Sequence, residues 1–129
     1  MFSDPVNPVI EEIRTWAYSP GALEPMEDWD LILESEAADE FYLALAADAE
    51  CPQATYFLHV LYLIVGDAVR SGYHTRTRAQ VESLLEVGEG LTSPAVQRWV
   101  ARSRELMADP SRFSYEAWCG GGLANERST

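Results

Sequence analysis

The 129-residue chain contains no lysine, and all nine of its Lys/Arg positions are arginine. Between residues 24 and 50 there is no basic residue at all. Cysteine is scarce: Cys51 and Cys119 are too few for a disulfide framework and read as reduced thiols, small core residues of a protein in a reducing compartment. Long apolar runs are missing as well. The longest spans Ala54 to Val65, 12 residues, with Asp67 and Arg70 close behind. A membrane helix needs about 20. The start, "MFSDPVNP", lacks the basic end and apolar stretch of an export signal, so a cytoplasmic protein is expected. Strand-like alternation is absent. So are CxxC, HExxH, EF-hand loops, paired Glu-x-x-His helices and a phosphate-cradling glycine loop, since "CGGGLA" has neither the lysine nor the strand before it. No metal and no cofactor is expected.

What is present is apolar content of 47%, enough for one packed domain over 1–129. The net charge is −12 and the isoelectric point about 4.4. Such a chain repels a phosphate backbone and an anionic bilayer surface, so neither nucleic acid nor membrane is an expected partner. The charge is also lopsided. Residues 1–69 carry 14 Asp/Glu against Arg14 alone, net −13; residues 70–129 carry 7 Asp/Glu against 8 Arg, net +1.

Helical periodicity runs through almost the whole chain. A first helix is predicted over 8–18, capped by Asn7 with Pro8 at its first position and a stripe of Val9, Ile10, Ile13, Trp16 and Ala17. A second fits 26–34, with Trp29, Ile32 and Leu33 on one side and Glu27, Asp30 and Glu34 on the other. A third fits 36–48, with Ala38, Phe41, Tyr42 and Leu45 inward. The fourth, about 52–71, is apolar nearly all round. Only a narrow strip of Thr55, His59, Asp67 and Arg70 is polar, which marks it as the central helix of a bundle. "TRAQ" (Thr77–Gln80) is a capping box opening a fifth helix to about Val87. Ser93 and Pro94 open a sixth to Ala108, and a short turn over 115–119 precedes a loose tail from about 120. Residues 43–61 lie over 85–103 at an offset of 42, both reading helix, turn, proline, helix. The fold class is therefore all-α: a single-domain bundle of six to seven antiparallel helices. Stacked HEAT-like pairs and a plain irregular bundle both fit the offset.

Chemistry is thinly signalled. His59 has no Ser, Cys or second His at triad-like spacing, and Asp67, two turns on, is out of direct reach. His59 reads as a structural histidine, His74 as a solvated loop residue, and Asp67–Arg70 as an i,i+3 pair. Arg98, Arg102 and Arg104 read as solvated or internally paired, with a site for a small anion or an acidic partner as the alternative. An enzyme is not expected. The sharpest departure from average is 24–50, with ten acids in 27 residues. Like charges at that density repel, and a basic protein partner is one reason to keep them; a solubility surface is the other. On the first reading the partner-binding residues are Glu27, Asp28, Trp29, Asp30, Glu34, Glu36, Asp39 and Glu40, with Trp29 as aromatic anchor. Reversal of Asp30 and Glu34 to Lys is then expected to slow association.

Through "EDWDLILESEAADEFYLALAADAECP" and "FLHVLYLIVGDAVR", about residues 27–70, the chain resembles the small acidic helical immunity proteins paired with bacterial toxins. That resemblance implies a stoichiometric inhibitor whose acidic face docks on a basic toxin domain. It carries over no individual residue. A HEAT-like interaction module and a small enzyme using His59 are the competing classes.

Overall fold

The computed structural model describes residues 2–125, and no strand occurs among them. The helices are α1 (Ile10–Ala17), α2 (Trp29–Ser35), α3 (Asp39–Ala47), α4 (Ala54–Arg70), α5 (Arg78–Glu89), α6 (Pro94–Ala108) and α7 (Tyr115–Trp118), with a 3-10 turn at Pro110–Arg112. The all-α bundle expected from periodicity is what forms. α4 is its post. Phe57, Leu58 and every residue from Val60 to Val69 are buried on it, including Gly66 and Asp67. α3 packs along α4, α5 along α6, and the two hairpins meet through α3 on α5 and α4 on α6. α2 and α7 close the remaining flanks of α4.

Local chemistry explains most of the boundaries. Thr77 Oγ1 accepts from the Gln80 amide at 3.1 Å, and Gln80 Oε1 accepts from the Thr77 amide at 2.8 Å. This is the reciprocal capping box that "TRAQ" predicts. Thr77→Ala is expected to cost about 1 kcal/mol, read as a lower urea midpoint at unchanged slope. Ser93 caps α6 through the Val96 amide, with Pro94 in the first turn.

Other boundaries move inward. Asn7 does not cap α1; its side chain donates to Asp4 in a preceding turn, and the helix starts two residues after Pro8. Val9 and Ile10 stay exposed, so the buried stripe of α1 is Ile13, Trp16 and Ala17. α2 begins at Trp29 because Asp28 sits at φ 57°, and α3 begins at Asp39 because Ala37 sits at φ 56°. Left-handed residues cannot continue a right-handed helix. On α3 the deepest residues are Tyr42, Leu43, Leu45 and Ala46, with Phe41 only half-buried. The tail expected to be loose from about 120 packs through Ala124, which is buried, and Leu123 donates back to the Ala117 carbonyl at 3.2 Å. The rest of that tail lies outside the described residues.

Candidate interaction site

Two of the acids singled out above, Asp30 and Glu34, lie on α2, and its docking on α4 decides whether they face solvent. Trp29, the first residue of α2, is 0% exposed. Its ring meets Phe2 and Trp16, each at 4.9 Å between centroids, and its Nε1 donates to the Pro5 carbonyl at 3.1 Å. It anchors the N-terminal segment to the core and presents nothing to a partner. The wheel placed it there, beside Leu33, and the core takes it.

The polar strip of α4 meets acids from α2. His59 Nε2 lies 2.6 Å from Asp30 Oδ2. That hydrogen bond, helped by the nearby imidazole charge, holds the Asp30 carboxyl below its usual range against the effect of burial. His59 Nδ1 is buried without a partner, and Gly121 passes close over it: a Cβ there would stand 3.3 Å from Nδ1. With φ at +83°, Gly121 is also held where a side chain is strained.

One turn along, Glu34 is buried to 8% exposure. Burial, then the Asp67 carboxylate beside it, pushes its carboxyl up to about 8. At neutral pH Glu34 therefore carries a proton that it can share with Asp67. Asp67 accepts from Arg70 at 2.8 Å and stands 3.7 Å from Cys119 Sγ. Burial and that same carboxylate push the Cys119 thiol up to about 12, so it is held protonated and is a poor nucleophile. Cys51 is buried and donates to the Ala17 carbonyl at 3.3 Å.

Asp39, at the start of α3, grips Arg76 from the α4–α5 loop with Nε–Oδ2 at 2.6 Å and Nη2–Oδ1 at 2.7 Å. Arg76 Nη2 also donates to the Glu34 carbonyl at 2.6 Å. This bidentate pair ties the α2–α3 corner to the chain leading into α5.

Of the eight residues proposed from sequence, Trp29, Asp30, Glu34 and Asp39 thus face inward or are engaged within the fold. Reversing Asp30 or Glu34 to Lys would unseat α2 before it tested a surface. Glu27, Asp28, Glu36 and Glu40 remain exposed and make no ion pair among the described residues. Glu24, also exposed, accepts from the Tyr56 hydroxyl at 2.6 Å. The exposed acids are a narrower set than the segment suggested, bracketing α2 and opening α3.

Two clefts adjoin it. One, of about 420 Å³, is lined by Glu34, Ser35, Ala37, Asp39, Thr75, Arg76 and Gln80. The other, of about 510 Å³, lies between the start of α3 and α5 and shares Ala37, Asp39 and Gln80 with the first.

The arginines of α6 are engaged elsewhere. Arg104 pairs with Glu89, and Arg102 Nη1 donates to the Tyr62 hydroxyl at 3.2 Å and the Leu123 carbonyl at 3.4 Å. Arg98 is half-buried. His74 is exposed, its ring against the Ser71 carbonyl. No group of three or more His, Cys, Asp or Glu placed to hold a metal ion occurs among the described residues.

Two sets of internal contacts escaped sequence reasoning. Asp30 and Glu34 stand at i,i+4, and the polar strip of α4 offers His59 and Asp67; pairing the two strips was the available signal. Arg76 had none, since a loop arginine carries no mark of burial. No protein-family model, curated protein or solved structure matches this chain.

Proposed function

We propose that this chain is an immunity-type binding protein that neutralises a basic protein, a toxin domain, by docking the acidic face around α2 and the start of α3 against it. The observation that carries the reading is the set of exposed acids that make no ion pair among the described residues, Glu27, Asp28, Glu36 and Glu40, on the half of the chain with net charge −13. Unpaired like charges repel one another and are relieved by a basic partner, whose encounter they also accelerate. Three acids of the same segment, Asp30, Asp39 and Glu34, are held within the fold by His59, Arg76 and burial, and Asp48 takes the Tyr18 hydroxyl at the surface, so the fold already has its own acids at these joints.

Co-expression with the protein encoded beside it tests the reading. Wild-type chain is expected to rescue growth from that protein. The combined variant Glu27→Lys, Asp28→Lys, Glu36→Lys, Glu40→Lys is expected to fold and to associate at least about tenfold more slowly at low salt, with the difference shrinking as salt is added. A harmless neighbour, or equal protection by the reversed variant, sinks the reading.

A further inference from the structure

We propose that the last turn of α2 is a proton-held latch: it stays docked on α4 while the buried carboxyls of Glu34 and Asp67 share one proton, and it swings out between Trp29 and the α2–α3 corner when that proton is lost. The latch is internal to the fold and needs no partner.

The two carboxyl residues are each 8% exposed and face each other across the α2–α4 contact. Adjacent carboxyls withdrawn from water do not both ionise without a large cost. The contacts around them decide which one keeps the proton. Asp67 Oδ1 accepts from Arg70 Nη2 at 2.8 Å and lies 3.7 Å from Cys119 Sγ, so Asp67 has a cation and a thiol beside it. Glu34 has neither at hydrogen-bond distance. Its Oε2 is buried and accepts no hydrogen bond, and Arg76 Nη1 stands 4.0 Å from it. That guanidinium is gripped by Asp39 of α3. Asp30, one turn back on α2, adds repulsion and is itself paired with His59 of α4. Glu34 is therefore the member that holds the proton, in keeping with a carboxyl pushed up to about 8 by burial and by Asp67.

The element that gives way is α2. α4 is packed by α3, α6 and α7 on its other sides, whereas α2 is seven residues long and α4 is the one helix it packs on extensively among the described residues. Asp28 at φ 57° and Ala37 at φ 56° bound it, left-handed conformations that a residue with a Cβ keeps only under constraint. Neither α2 nor α3 has a side-chain cap. Trp29, seated among Phe2, Trp16 and Tyr56, is the fixed end. Opening withdraws Leu33 from the core. It also breaks the two bonds that hold the corner shut, Tyr42 Oη to the Leu33 carbonyl at 2.7 Å and Arg76 Nη2 to the Glu34 carbonyl at 2.6 Å.

The closed form binds the proton more tightly than the open one. Opening is thus rarest below about pH 4.5, grows as pH rises, and levels off above about 8. Hydrogen exchange of the full chain, corrected for the intrinsic rate at each pH, reads this at the amides of Glu36 and Ala37, which donate to the Ile32 and Glu34 carbonyls. Their protection is expected to lie at least about tenfold below that of the α4 amides and to be insensitive to low urea. It is expected to fall about tenfold per pH unit between ~5 and ~7.5 and then to flatten, and in Glu34→Gln to stay constant over that range. Protection equal to that of α4 at every pH means that the turn opens only with the whole fold, and overturns the latch. Lower protection that does not change with pH overturns the proton as what holds it. Both outcomes are read on the wild-type chain alone, whatever the variant does. A slope that survives in Glu34→Gln overturns Glu34 as the holder.

Discussion

Arg76→Ala is expected to destabilise the fold by about 3–5 kcal/mol, the range for removing one partner of a buried ion pair. The guanidinium is 8% exposed and makes three hydrogen bonds, two to Asp39 and one to the Glu34 carbonyl. Truncation leaves a carboxylate 21% exposed without its counter-charge and a main-chain carbonyl without its donor. It also releases the corner where Ala37 is held in the left-handed region, a conformation that costs on the order of 1 kcal/mol and persists only when its surroundings enforce it. Urea denaturation of the single variants Arg76→Ala and Asp39→Ala, and of the double, separates pair from context. If the pair is the source, the double variant loses much less than the sum of the singles. A loss below about 1 kcal/mol for Arg76→Ala would mean that solvent screens the pair as it does on a surface.

Glu34 makes the second large effect, and it depends on pH. Its carboxyl lies at about 8 in the fold against an ordinary value of 4.5, so the folded state binds the proton more tightly than the unfolded state. The stabilisation is fully present below about 4.5, fades as pH rises, and is gone above about 8. Across that window the loss is on the order of 3–5 kcal/mol, since each tenfold difference in proton affinity between the folded and unfolded states is worth about 1.4 kcal/mol. Asp30 acts in the opposite sense. Its carboxyl is held below 3.8 by His59, so its stabilisation is present above that value and is lost as pH falls through the folded one. Stability is therefore expected to peak on the acid side of neutrality. Glu34→Gln keeps the shape and a donor for Asp67 without a titrating proton. It is expected to match wild type near pH 4.5 and to exceed it by a few kcal/mol near pH ~9. Urea midpoints at those two pH values decide it; curves for wild type and variant that run parallel from acid to alkaline would refute the assignment to Glu34.

Much of this architecture was legible in the residue pattern. The apolar circumference of α4 announced a central helix, and "TRAQ" and "TSP" announced the starts of α5 and α6, because periodicity and capping act over one or two turns of the chain. The pattern misplaced the start of α2 and α3, since nothing local shows that Asp28 and Ala37 adopt positive φ. It identified the acidic segment and Trp29's side of the wheel, but treated acids on the polar arc of α2 as solvent-facing. An isolated helix has only one environment to offer them. In the fold that arc splits: Asp30 and Glu34 turn onto the polar strip of α4, while Glu27, Asp28 and Glu36 stay outside.

By itself, then, the sequence determined the helices, the choice of α4 as post, and the sign and location of the charge. Those follow from the spacing of apolar residues and from counting. The tertiary structure alone decided which charges stay exposed and which are engaged within the fold. Asp30–His59 spans 29 positions and Asp39–Arg76 spans 37, and a contact at that separation depends on how one helix is docked against another. That docking buried Glu34 and raised its carboxyl, held Arg76 between Asp39 and the Glu34 carbonyl, and left Glu24, Glu27, Asp28, Glu36, Glu40 and Glu50 as the exposed members of the ten acids between residues 24 and 50.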